Sequence, residues 1–228
     1  MKWTPPPPDD VLAAFLDQHA PFSPVPLCPG LFAFAAPSLV QVWAAAERLV
    51  GTTLPSPFWA FPWAAGIALA RVVLDAPQQV RSRSVIDAGA GGGVSSVACA
   101  LTGAARIVAC DVDPWALSVT RIAAQRQNCE VETVLADVTA SPGLLDDFDV
   151  ILAGDLAYDR TAAPLERAAL DRAAGRGATV LLGDAGRTYF RTEQVELMGE
   201  WEIPVIRDLE GTDVRLSRVY RLLAGGRV

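Results

Sequence analysis

From Ser84 onward the chain alternates short apolar runs with longer segments whose apolar residues recur every three or four positions. Ser84–Ala88, Arg106–Asp111, Glu130–Ala136, Phe148–Gly154 and Ala178–Gly183 belong to the first kind. Their nearly continuous Val, Ile, Leu and Ala content predicts strands covered on both faces. Val94–Leu101, Pro114–Gln127 and Arg160–Ala174 carry the helical period. Tyr189–Met198 reads as a further helix, before a closing strand at Val214–Leu222. Strands separated by helices of this size imply βαβ units and a mainly parallel sheet, so the expected fold is a doubly wound α/β domain.

Upstream of Ser84 prolines set the pattern. Residues 1–10 are Pro-rich, end in Asp9 and Asp10, and read as a tail. Val11 to Leu16 then has a helical period behind an acidic cap. Pro21, Pro24, Pro26 and Pro29 mark a linker, and a helical stretch is predicted over Pro37–Val50. After Pro55 and Pro57 comes an aromatic segment, Phe58-Trp59-Ala60-Phe61-Pro62-Trp63, leading into an apolar helix over Ile67–Leu74. The expected division is a Pro-rich and helical extension over 1–57 and the α/β domain over 58–228.

Composition narrows the chemistry. The 228 residues hold 19 Lys+Arg against 26 Asp+Glu, for a net charge of −7. That balance argues against sequence-independent nucleic-acid binding, which needs basic patches. The single histidine, His19, sits in a polar N-terminal segment, which disfavours Ser-His-Asp and Cys-His engines and excludes a multi-His metal site. A catalytic lysine would have to be Lys2. No metal is expected. Cys28, Cys99, Cys110 and Cys129 show no CxxC spacing and lie mostly in apolar runs, which reads as reduced thiols in a cytoplasmic protein. Pro62 and Arg71 interrupt Phe58–Leu74, so no membrane span is expected, and with the chain running straight into Pro5–Pro8 no secretory leader is expected. A monomer is expected.

The strongest local signal is Asp87-Ala88-Gly89-Ala90-Gly91-Gly92-Gly93, which follows a strand and opens a helix. In doubly wound sheets nucleotide-type ligands bind at such a place. The dinucleotide fingerprint requires a further glycine at position 94, where this chain has Val94, so a nicotinamide-cofactor dehydrogenase is disfavoured. Asp111 ends the second strand, twenty residues beyond Gly91, placed to accept hydrogen bonds from ribose hydroxyls. Asp113 reads as the cap of the next helix, with Pro114 at its first position. Asp137 lies just past the third strand, and Asp155-Leu156-Ala157-Tyr158 follows the fourth.

The acid-x-Gly-x-Gly-x-Gly form resembles the class I S-adenosylmethionine (SAM) methyltransferases from about Ser84 onward. The resemblance implies a Rossmann-like, mostly parallel seven-stranded sheet with SAM as cofactor. It implies Asp87, Gly89, Gly91 and Gly93 as the cradle, Asp111 on the ribose and Asp137 near the adenine. The acid-x-x-aromatic form of Asp155 and Tyr158 is similar to the seven-β-strand protein lysine methyltransferases, in which the pair would position the amine. Pro57–Trp63 with Gly66, and Leu181-Leu182-Gly183-Asp184-Ala185-Gly186-Arg187, resemble segments of the electron-transfer flavoprotein β-subunit lysine methyltransferases. The implied activity is SAM-dependent lysine methylation of that β-subunit. Trp59 or Trp63 would line the cofactor pocket or close the substrate channel, or both would be core. Asp184 and Arg187 would contact the protein substrate, or form a turn salt bridge. Ala185 and Ala157 depart from the family pattern, and the second bears on what surrounds the target amine. Alternatives are another protein substrate of the ribosomal protein L11 kind, a small amine, or SAM binding without turnover.

Overall fold

The computed structural model describes residues 3–224, and Lys2 lies outside the described residues. In chain order the elements are α1 (Asp9–His19), β1 (Phe22–Pro24), β2 (Phe32–Phe34), α2 (Leu39–Val50), α3 (Ala64–Asp75), β3 (Ser84–Ala88), α4 (Val94–Leu101) and β4 (Arg106–Asp111). They continue with α5 (Pro114–Arg126), β5 (Glu132–Leu135), β6 (Val150–Gly154), α6 (Ala162–Gly175), β7 (Thr179–Asp184), β8 (Val195–Pro204), α7 (Arg207–Glu210) and β9 (Val214–Leu222). Seven strands form one sheet in the order β5-β4-β3-β6-β7-β9-β8. The first five in that order run parallel, and β9 enters antiparallel between β7 and β8. This is the doubly wound, mostly parallel sheet that the pattern predicts.

Period-two alternation builds the layers. On β6, Val150 and Leu152 join one core with α3, α4, α5 and the N-terminal helices, while Ile151 and Ala153 join a second core with α6. The chain lays down β3 in the middle, winds outward through β4 and β5, then returns to place β6 on the other side of β3. Winding reverses there, which opens a crevice beyond the carboxyl ends of β3 and β6.

Three expectations are corrected. Residues 189–194 form no helix, and the second half of the segment read as helical is the start of β8, an edge strand paired with β9. The Pro-rich linker folds into the β1–β2 hairpin, in which Phe22 opposes Phe34. The N-terminal tail is pinned: the Trp115 Nε1–H donates to the Thr4 carbonyl at 3.0 Å, and Arg121 pairs with Asp9 at 3.1 Å.

Cys28, Cys99 and Cys110 are buried and free, and burial pushes the thiols of Cys28 and Cys110 up to about 11. Among the described residues no group of His, Cys, Asp and Glu is arranged to hold a metal ion, and no helix is long and apolar enough to cross a membrane.

Candidate active site

The glycine loop is held from two sides. As β3 ends, the amides of Gly89 and Ala90 donate to the Cys110 carbonyl at 2.8 and 3.1 Å, tying the loop to β4. The Gly91 amide donates to Asp111 Oδ2 at 2.8 Å, and Asp111 Oδ1 accepts from the Asp113 amide at 2.9 Å. One carboxylate thus joins the loop to the turn after β4. Asp113 caps α5 by accepting from the Trp115 amide at 2.9 Å, and burial pushes it up to about 7.

Asp87 is buried at the end of β3 and accepts from Ser96 Oγ at 2.6 Å. Burial pushes its carboxyl up to about 7; the Ser96 bond opposes this and the nearby Asp111 charge adds to it. Asp111 is raised as well, by burial against its backbone bonds. Among the described residues neither acid is paired with a basic side chain, so both stand as unneutralised acids beside the loop. A Cβ built on Gly91 would meet nothing within 4 Å, so that part of the loop borders open space. This donor set fits a ligand that carries positive charge, because a cation would ease the burial of both carboxylates.

The two tryptophans separate in role. Trp59 is buried and stacks on Trp115 of α5, with centroids 5.3 Å apart, and its carbonyl lies 2.8 Å from where a Gly92 Cβ would be. It supports the loop from beneath. Trp63 is half-buried, with its Nε1–H donating to the Phe58 carbonyl at 2.9 Å, and the Arg187 guanidinium sits 5.8 Å from its ring centroid. Asp137 is exposed, and Thr139 occupies its Oδ1 through both amide and hydroxyl, which holds the carboxyl below its ordinary value.

Beyond β6 the fold gathers residues from three separate sequence segments. Asp155 has a left-handed backbone, φ +60°, and its amide donates to the Gly183 carbonyl at 3.0 Å. Its carboxylate receives Arg187 through two nitrogens, at 2.5 and 2.6 Å. Tyr158 is 59% exposed, with its ring 6.3 Å from that of Phe58. Asp184 accepts from the amides of Gly186 and Arg187 and shapes the turn that aims Arg187 at Asp155. Two participants lie outside the sequence motifs. Ser96 sits at the start of the helix after the glycines, a position that could have been read. Glu210 bonds Arg187 from a short helix near β9, and no local pattern signals it.

A family model described as ribosomal protein L11 methyltransferase matches residues 68–160. The electron transfer flavoprotein beta subunit lysine methyltransferase of Danio rerio is 35% identical over 176 residues, covering 73% of this chain and 66% of that protein. The Xenopus laevis protein of the same description is 31% identical over 187 residues, covering 80% of this chain and 73% of that one. Among solved structures, magnesium protoporphyrin IX methyltransferase from Synechocystis PCC 6803 with bound SAM aligns with a TM-score of 0.50 at 14% identity, over 69% of this chain and 77% of that chain. The fold is thus that of the class I methyltransferases. Within that class, the chain belongs to the electron transfer flavoprotein beta subunit lysine methyltransferase family. It spans 66% of the length of the fish, rat and mouse relatives.

Proposed function

We propose that the protein transfers a methyl group from SAM to a lysine of the β-subunit of electron-transfer flavoprotein. The observation that carries this reading is the gathering of Asp155, Tyr158, Arg187 and Trp63 beyond β6, one strand from the glycine loop. Membership of the family supports the substrate. SAM supplies, when bound, a methyl group already activated by its sulfonium. Asp87, Gly89, Gly91 and Gly93 would cradle the cofactor, Asp111 would hold its ribose, and Asp137 would lie by its adenine. Asp155 would accept an N–H of the lysine amine, while the exposed Tyr158 ring offers a π-face to the cationic side chain and directs it inward. Asp184 would shape the turn and Arg187 would face the protein substrate. The net charge of −7 suits a basic partner segment.

Purified protein mixed with labelled SAM and the β-subunit should label the β-subunit at lysine. Label that persists after the target lysines are changed to arginine removes lysine as the acceptor; no label removes the substrate. The family-model match over 68–160 favours one second reading, ribosomal protein L11 as substrate, and the same assay with that protein separates the two.

Cofactor affinity should depend on pH through Asp87. Its raised value, about 7, means that the free fold prefers the neutral carboxyl, whereas a cationic ligand prefers the anion. Binding therefore expels a proton below pH 7, and SAM affinity should fall by about tenfold for each unit of further acidification. For the free fold the same shift acts on stability. It contributes most at or below the unfolded value, then loses its contribution as pH rises towards 7. Calorimetric titration with SAM at pH 8, 7 and 6 checks the first statement. Asp87→Asn should bind weakly with a flatter profile; an unchanged profile would show that Asp113 or Glu166, also raised to about 7, is the group responsible.

A further inference from the structure

Asp155 is the acid on which the lysine reading depends, and it is not free. Arg187 holds it through Nε and Nη2, and the aspartate side chain is only 10% exposed. On its other side Arg187 donates to Glu210 at 3.0 and 3.3 Å. Glu210, with a side chain 3% exposed, accepts in turn from Arg215 Nε at 2.9 Å, while Arg215 Nη2 reaches the Glu210 carbonyl at 2.9 Å. Two carboxylates and two guanidiniums alternate along a chain drawn from the loop after β6, the turn after β7, α7 and β9. Its formal charge is zero. The other ionisable groups acting here are Asp184 from β7, Tyr158 and Asp159 from the loop, Asp111 from β4 and Glu166 from α6.

The chemistry needs a neutral amine, while a lysine arrives as an ammonium with an ordinary pKa near 10.4. An unpaired carboxylate beside it would bind the ammonium and also hold its proton on, raising that pKa by about 1–3 units. A guanidinium bound in bidentate fashion cancels this field, yet leaves the outer lone pairs of the carboxylate able to accept N–H. We propose that Arg187, anchored by Glu210 and Arg215, is a positioning residue that sets the protonation state of the substrate lysine by neutralising Asp155. The inference rests on the lysine-methylation reading. The bound ammonium releases one proton to water, and Asp155 orients the neutral amine that remains. The freed lone pair forms the new N–C bond as the methyl–sulfur bond breaks, with its electron pair staying on sulfur.

The network predicts two shifts of opposite sign. Arg187→Gln exposes the Asp155 charge, so the alkaline-going limb of kcat against pH, which reports groups in the enzyme–substrate complex, should move up by about one unit. Binding of the β-subunit at pH 7, read by calorimetry, should tighten by several-fold even as kcat falls. Glu210→Gln leaves Arg187 under-compensated, so the limb should move down by a smaller amount. Arg187→Lys keeps the charge and should restore the limb. Loss of packing alone cannot move the limb in both directions. If the unaltered protein methylates the β-subunit and the limb stays put in both variants, the inference falls and the reading stands. If both variants move it the same way, the inference also falls. No turnover by the unaltered protein removes the reading and the inference with it.

Discussion

Asp155→Asn is expected to lower the rate of β-subunit methylation by about a hundredfold to a thousandfold, with SAM affinity changed by less than about threefold. The substitution spares the backbone. Asparagine tolerates the left-handed conformation that Asp155 adopts at φ +60°, and the amide bond to the Gly183 carbonyl survives. What changes is the charge and one acceptor. The amide can accept from Arg187 through only one atom, so the guanidinium turns into an unbalanced cation facing an incoming ammonium. Repulsion weakens substrate entry, and the amine loses the oxygen that aims it. Single-turnover kinetics alongside calorimetry with SAM separates the two effects. A rate within threefold of the unaltered protein would remove Asp155 from the site.

The second large effect is expected at Gly93. Its φ is +81°, and a Cβ there would lie 2.6 Å from both Cγ2 and Oγ1 of Thr120, on α5. Gly93→Ala therefore meets two penalties: about 1–2 kcal/mol for a left-handed alanine and about 1–3 kcal/mol for overpacking. Thr120 cannot simply step aside, because it is buried and its hydroxyl donates to the Gly91 carbonyl at 3.1 Å. Strain at Gly93 is thus passed to the centre of the loop, and SAM binding should weaken by about a hundredfold or more, since 1.4 kcal/mol is a factor of ten. Adding Thr120→Ala should relieve the overpacking and leave the backbone penalty in place. Urea denaturation and SAM titration of the single and double variants test this. Normal SAM affinity in Gly93→Ala would show that the loop does not hold the cofactor.

How much of this could be read beforehand depended on whether the signal was local. Val94–Leu101 and Arg106–Asp111 match the structure residue for residue. Glycines bound the first, and the second is a strand covered on both faces, so each carries its own punctuation. The first half of β8 reads as helix because Leu197 and Met198 stand side by side where the register slips between Leu197 and Gly199. The bulge breaks the alternation of two and imitates helical spacing. The β1–β2 hairpin escaped because each strand has three residues and one of them is Pro24. At the candidate site, Asp87, Asp111, Asp155 and the glycines were legible because each falls at a strand end. The Arg187–Glu210 contact was not, since it joins residues 23 apart that only the placement of α7 beside the β7 turn brings together.

The anchoring of Thr4 and Asp9 on α5 has a consequence for how the chain is made. The partners of these contacts lie 111 and 112 residues further along. At about 5–20 residues per second, the ribosome would need roughly 6–20 s to deliver them. Over that interval α1, which buries Leu12, Phe15 and Leu16, has α2 to pack on but not α5, so vectorial synthesis leaves part of a sticky amphipathic helix waiting outside the exit tunnel.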